Sequence, residues 1–178
     1  MHPLISLAQK AVEKYLNEGK IISPPLELPK EFLEKKAGVF VTIQKDGDLR
    51  GCMGTYLPMR SNIALETIRN AVTAATEDYR FSPINKIELP LLNYTVSILS
   101  QPEPVKDVSE LNPKKYGIIV KSSSMFEKNS ASKCGLLLPD LEDVDTIEKQ
   151  VFIACRKGDI DPGKEKLSIY RFTVEKLS

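Results

Sequence analysis

The run Lys45-Asp46-Gly47 divides two β-rich stretches, and it constrains the fold more than any other local feature of the chain. Gly38 to Gln44 lies on one side and Asp48 to Thr55 follows on the other. A glycine-containing turn between alternating apolar runs is the local signature of two antiparallel strands. The sequence therefore predicts a hairpin over residues 38–55, closed around Asp46-Gly47.

The flanking segments read differently. Over residues 3–18, Leu4, Leu7, Ala8, Ala11, Val12, Tyr15 and Leu16 recur at helical spacing, with Lys10, Glu13 and Lys14 opposite. Gly19 is a natural stop. Residues 21–30 hold three prolines and predict an extended connection, with His2 at a loose terminus. Ser61 is placed to cap a helix through about Glu77, with Leu65, Ile68, Val72 and Ala75 as its apolar stripe. The run Asp78–Pro83 ends it, because a residue before proline resists the helical region. Tyr94 to Ser100 alternates as a strand, with Tyr94, Val96 and Ile98 on one face, and Gln101–Pro104 closes it.

Gly117 to Val120 and Gly135 to Leu138 are short apolar runs and predict strands. Ser122 to Lys133 between them is polar and serine-rich, and predicts the most mobile internal loop. Asp145-Thr146-Ile147-Glu148 has capping-box spacing. The helix after it is expected to bury Ile147, Val151, Phe152 and Cys155 and to stop at Gly158. Asp159 to Lys164 reads as a turn region and Leu167 to Val174 as a last strand. Helices and strands mixed with a hairpin give an α+β class.

Charge and cysteine usage exclude several functions. Twenty-five basic residues stand against 24 acidic ones in 178, for a net charge of +1. Proteins that neutralise nucleic-acid phosphates carry a clear basic excess, so a nucleic-acid module is disfavoured. A chain of this length buries roughly 70% of its unfolded surface, so it needs neither disulfide nor metal to fold. Cys52, Cys134 and Cys155 show no ligand spacing, and His2 is the sole histidine, so no zinc site or other cofactor is expected. Free thiols suit a reducing compartment. Residues 1–20 carry charges throughout, and no apolar run approaches the ~20 residues of a membrane helix. The expectation is a soluble, cytoplasmic protein.

Leu49-Arg50-Gly51-Cys52-Met53-Gly54-Thr55 resembles the hallmark of the AMMECR domain family. Further blocks resemble that family in order: Asn70-Ala71 with Ala74-Ala75, then Asp78-x-Arg80-Phe81-x-Pro83. Val96–Ser100 with Pro102-Glu103-Pro104 comes next, followed by Gly117–Val120 and Gly135–Pro139, and last by Cys155 with Lys157-Gly158. Together they span about residues 4–174. The resemblance implies a compact two-lobed α+β fold, with an antiparallel sheet, packed helices and the hallmark near a cleft. The chain would then be one AMMECR domain over residues 1–178, or two interleaved lobes without a flexible linker. The resemblance also implies a setting, since prokaryotic members are called AmmeMemoRadiSam system protein A. They are associated with a Memo-like protein, related to extradiol dioxygenases, and a radical S-adenosylmethionine protein. No settled reaction comes with the family. Three positions depart from its pattern: Tyr116 where histidine is frequent, Met53 where isoleucine is usual, and a glycine-free stretch over Ser122–Lys133. The first leaves no obvious imidazole base.

Two readings of the hallmark follow. In one, Cys52 is a nucleophile: a nearby Arg50 favours the thiolate, and the flanking glycines expose backbone N–H groups to an oxyanion. Arg50 and Arg80 then hold an anion in guanidinium forks, with Gly51, Gly54 and Thr55 lining the surface and Asp78 as base or partner. In the other, Cys52 is a small packing residue, the glycines serve packing, and Arg80 pairs with Asp78 or Glu77. Cys134 and Cys155 read as buried apolar residues. The functional expectation is a small anionic ligand bound or transformed at the Arg50-Gly51-Cys52 cleft. The alternative is a non-catalytic protein that docks onto a Memo-like or radical S-adenosylmethionine partner.

Overall fold

A computed structural model describes residues 1–124 and 133–178 of the chain. Its contacts divide it into two compact units, Met1–Leu99 with Glu175–Ser178, and Ser100–Val174. The expected α+β class holds. Among the described residues the strands form two four-stranded sheets, and each sheet packs against helices.

In the first unit, α1 (Pro3–Glu18) has the boundaries that its periodicity predicts. It ends at Gly19, whose φ of 69° lets its N–H reach the Tyr15 carbonyl at 2.7 Å. His2 is not a loose terminus. Its Nδ1 accepts the Leu4 N–H at 3.2 Å, and its ring meets Phe32 edge-on at 5.7 Å. Phe32 is the buried residue of a short helix, α2 (Lys30–Glu34), which follows the proline-rich connection. The hairpin is present as β1 (Gly38–Lys45) and β2 (Asp48–Thr55). Asp46 and Gly47 have φ values of 53° and 89°, the paired positive values of the two-residue turn that matches strand twist.

Helix α3 (Ile63–Thr76) starts one residue later than expected. Asn62, not Ser61, has the extended backbone of a cap, and its side chain accepts the Leu65 N–H at 2.9 Å. A 3₁₀ helix over Lys86–Leu91 leads into β3 (Leu92–Leu99), which pairs antiparallel with β1. Val39, Val41 and Ile43 from β1 join Tyr94 and Val96 from β3 beneath the apolar faces of α1 and α3, forming the first core. Burying each such side chain is worth about 1.5–3 kcal/mol, so the strand alternation and the two helical stripes hold the layers together.

The second unit contains β4 (Glu103–Pro104), β5 (Gly117–Ser124), β6 (Cys134–Leu137), α4 (Ile147–Lys157) and β7 (Glu165–Phe172), with sheet order β4-β7-β5-β6. Its core gathers Leu111, Ile118, Val120, Leu137, Val144, Ala154, Cys155 and Ile160. Strand β8 (Val174–Leu177) completes the first sheet, in the order β2-β1-β3-β8.

Several expectations need correction in this unit. Ser122 to Ser124 continue strand β5, because β7 extends to Glu165 and pairs with them. Lys133 is tied by its ammonium to Glu165 at 3.2 Å. The rest of the expected mobile loop, residues 125–132, lies outside the described residues. The cap of α4 is Thr146 rather than Asp145, with the Thr146 hydroxyl accepting the Lys149 N–H at 3.2 Å. Phe152 is 57% exposed and stacks under Arg156 instead of entering the core. Cys134 is exposed, whereas Cys155 is buried as expected.

Candidate functional site

The hallmark heptapeptide occupies β2, an edge strand of the first sheet. Its pairing with β1 contains an irregularity. Ile43 faces Gly51 and Gln44 faces Leu49, so Arg50 is the extra residue of a β-bulge. A bulge redirects the side chain that it carries. Here the guanidinium meets the carboxylate of Glu88 through two bonds, Nε to Oε2 at 2.9 Å and Nη2 to Oε1 at 3.0 Å. Arg50 Nη1 also donates to the Ser82 carbonyl at 2.8 Å, and Nη2 to that of Pro83 at 3.4 Å.

Glu88 is the centre of this cluster. Its Oε1 accepts the Asn85 N–H at 3.1 Å in a capping box, and its Oε2 accepts from Lys45 Nζ at 3.3 Å. The Arg50 bonds outweigh the cost of burial and, with the Asn85 and Lys45 bonds, bring the carboxyl from its ordinary range down to about 2. Two cations therefore share one ionised carboxylate. A cleft of about 490 Å³ opens beside them, lined by Lys45, Arg50, Phe81, Ser82, Asn85, Ile87 and Glu88.

Cys52, Asp78 and Arg80 form a second cluster. Asp78 is 5% exposed, and its Oδ2 accepts the Cys52 N–H at 2.9 Å. Arg80 closes a fork on the same carboxylate, Nε to Oδ1 at 2.9 Å and Nη2 to Oδ2 at 2.7 Å. Arg80 Nη2 also donates to the Cys52 carbonyl at 3.4 Å. Together the two side chains engage both outward main-chain groups of Cys52, as a neighbouring strand would. The Arg80 bonds bring the Asp78 carboxyl to about 2 against its burial, and the Cys52 N–H adds to this. The thiol itself is half-buried, 3.3 Å from Thr42 Oγ1 on the facing strand.

Gly51 and Gly54 sit in close contacts, and Thr55 is hydrogen-bonded. A Cβ on Gly51 would overlap the Ala74 carbonyl oxygen, so glycine lets α3 lie directly on β2. A Cβ on Gly54 would overlap the Phe40 ring and the Val39 carbonyl. Thr55 donates to Glu66 Oε1 at 2.9 Å. Glu66, 1% exposed, also accepts the N–H groups of Met59 and Arg60 at 2.9 and 2.8 Å. It thereby ties the segment after β2 to α3.

The structure thus brings together Cys52, Asp78 and Arg80, and separately Arg50 with Lys45 and Glu88. Cys52, Asp78 and Arg80 are absent from the cleft lining. Phe81 links the clusters, since it lines the cleft and carries the Arg80 guanidinium 5.4 Å from its ring centre. Glu88, Lys45 and Glu66 are not among the site residues that the sequence singles out. Asn85 and Glu88 have the three-residue spacing of a capping box, which was a readable signal. Glu66 and Lys45 gave none. Among the described residues no group of three or more His, Cys, Asp or Glu side chains is placed to hold a metal ion. Among the same residues no helix is long and apolar enough to cross a membrane.

The chain is similar to proteins whose names assign no activity. A Thermotoga maritima protein is 48% identical over 176 residues, covering 98% of this chain and 97% of that protein. A Clostridium acetobutylicum protein is 42% identical over 98% of this chain, which spans only 34% of that longer relative. The crystal structure of an uncharacterised protein from Pyrococcus horikoshii superposes with a TM-score of 0.83 at 31% identity, covering 97% of this chain and 88% of that one. The AMMECR1 family matches residues 5–177, and this chain belongs to that family.

Proposed function

We propose that this protein binds a small anionic group in the cleft beside Arg50, and that Cys52 serves packing there rather than a covalent step. The observation that carries this reading is the sharing of one carboxylate by two cations. Glu88 stays ionised at neutral pH and neutralises one of them, so Lys45 and Arg50 leave one positive charge in the cleft. The Arg50 donors are taken by Glu88, Ser82 and Pro83, which makes Arg50 the organiser, and Lys45, held to Glu88 by one longer bond of 3.3 Å, the cation that turns toward a ligand. The Lys45 side chain is 34% exposed. Phe81 and Ile87 supply apolar walls, and Ser82 and Asn85 supply polar groups. This combination suits an anion attached to an apolar or aromatic body.

The reading against catalysis at Cys52 is supported by what surrounds the thiol. Its hydrogen-bond neighbour is a threonine hydroxyl, the Arg80 guanidinium beside it is forked on Asp78, and the sole histidine caps α1. Asp78 is a weak base with its oxygens already engaged. Three thiols without a disulfide fit a reducing, cytoplasmic setting.

A second reading is favoured by Tyr79 and Ile87, which are 92% and 86% exposed beside these clusters. Large apolar side chains left in solvent suit a docking face. On this reading the face contacts a Memo-like or radical S-adenosylmethionine protein of the AmmeMemoRadiSam system.

Calorimetric titration with phenyl phosphate tests the first reading. Wild type and Cys52→Ser should bind alike, and Lys45→Gln should bind about tenfold more weakly, the loss of one charge-assisted hydrogen bond. Failure of wild type to bind, or loss of binding in Cys52→Ser with Lys45→Gln unaffected, would overturn it.

A further inference from the structure

We propose that the outer edge of β7 in the second unit receives an extended, acidic peptide segment, which adds as a strand beside Leu167. The phase of the sheet identifies the open groups. In antiparallel pairs, residues alternately turn both main-chain groups toward a neighbour and away from it. The Ile169 carbonyl accepts the Val105 N–H at 2.8 Å, so Ile169 turns to the β4 side. The Thr173 carbonyl accepts the Ser100 N–H at 3.0 Å, in the same phase. On the other side, Ser122 faces Leu167 across the β5–β7 pair, yet its N–H donates to the Lys133 carbonyl at 3.0 Å. Leu167 therefore turns its N–H and carbonyl outward, where no main-chain partner meets them among the described residues.

Strand β4 does not cover this position, and its continuation is held away from it. Glu103 pairs with Arg171 and Pro104 with Tyr170, and the Val105 N–H bond to the Ile169 carbonyl ends the contact among the described residues. The chain then enters a 3₁₀ turn over Val108–Glu110. Glu110 Oε1 accepts the N–H groups of Lys106 and Asp107 at 3.2 and 3.1 Å. The amides that would extend β4 along β7 are thus committed to a capping box. A groove of about 350 Å³ remains between the departing chain and β7, with Val105, Val108, Leu167 and Ile169 among its walls. Val108 is 55% exposed there.

An open N–H and carbonyl beside an apolar groove select an extended backbone with alternate apolar side chains. The charges select its sign. Lys106 lines the groove and Lys166 is exposed on β7, and neither makes an ion pair among the described residues. The nearby acids are committed. Asp107 caps the Ser109 N–H, Glu103 and Glu110 both meet Arg171, and Glu165 holds Ser122, Lys133 and the Asp161 N–H.

The test is a magnetic-resonance titration of the isotopically labelled full chain with a capped peptide of alternating glutamate and valine. The expected result is saturable shifts confined to residues 104–108 and 165–170, with slowed exchange of the Leu167 amide. A peptide N-methylated at alternate amides should bind about tenfold more weakly or worse, since its backbone bonds are blocked. Replacement of its glutamates by lysines should weaken it similarly. Lys106→Glu in the protein should reproduce that loss without touching the strand. No shift at millimolar peptide, or equal binding of the N-methylated peptide, overturns the proposal. So does Leu167 protection that needs no peptide and rises with protein concentration, because a second copy would then occupy the edge.

Discussion

The Cys52 main-chain N–H donates to Asp78 Oδ2 at 2.9 Å, so the carboxylate just past α3 stands in for a strand beside the hallmark motif. Removing it leaves a half-buried N–H and an arginine without their shared partner. Asp78→Ala should cost about 1–3 kcal/mol of unfolding free energy, the usual penalty for an orphaned buried group. Arg80→Ala should cost less, because Asp78 keeps the N–H groups of Cys52 and residue 80, but more than an exposed ion pair would, because the buried carboxylate loses its cation. Urea denaturation of the two variants checks the order, and equal losses would contradict it.

Acid should expose the same carboxylates. Asp78 and Glu88 are both held at about 2 in the folded chain, below the ordinary 3.8 and 4.5. A lowered folded pKa stabilises fully above the unfolded value and is lost as pH falls toward the folded one. Stability should therefore drop as pH falls from about 5 to about 2, and Asp78→Asn should remove part of that slope. Urea midpoints across this range measure it. An unchanged slope in Asp78→Asn would show that the acid is not held as described.

Glycine at position 51 is required by contact rather than by backbone angle. A Cβ there would overlap the Ala74 carbonyl oxygen, a main-chain atom of α3 that cannot turn aside. Gly51→Ala should destabilise by about 1–3 kcal/mol or more through forced separation of helix and strand. A thermal melt that matches wild type would mean that α3 does not lie on β2 as closely as the structure has it.

These relationships explain which parts of the chain were legible in its sequence. The hairpin was legible because Asp46-Gly47 and the alternation around it are local signals. The periodic stripes of α1 and α3 were legible for the same reason, although the α3 cap moved from Ser61 to Asn62. The site was less so. Arg50 finds Glu88 only because a bulge turns it, and no spacing rule announces a bulge. Glu66 looks like a solvent-facing helical residue until the segment after β2 folds back to give it two N–H groups. Strand β8 has no local signal that distinguishes it from a tail. Asp78 with Arg80 was readable as an ion pair, but its use on the Cys52 main chain depends on tertiary placement.

The three thiols should separate by reactivity. Cys134 is exposed, Cys52 is half-buried against Thr42, and Cys155 is 1% exposed with its thiol pushed up by burial. A thiolate-selective reagent on native protein should label Cys134 first and Cys155 last, and denaturant should release all three. Fast labelling of Cys52 ahead of Cys134 would point to an activated thiol and against a packing role.

The proposed function requires that an anion bind at the Lys45–Arg50–Glu88 cleft and not at the Cys52 thiol. The most direct measurement is a magnetic-resonance titration of the labelled protein with phenyl phosphate, using benzyl alcohol as the uncharged control. Saturable shifts at Lys45, Ser82, Asn85 and Ile87 are expected with phenyl phosphate, and none with benzyl alcohol. Shifts centred on Cys52 and Asp78 with the cleft residues unmoved, or no saturable shift at all, would contradict it.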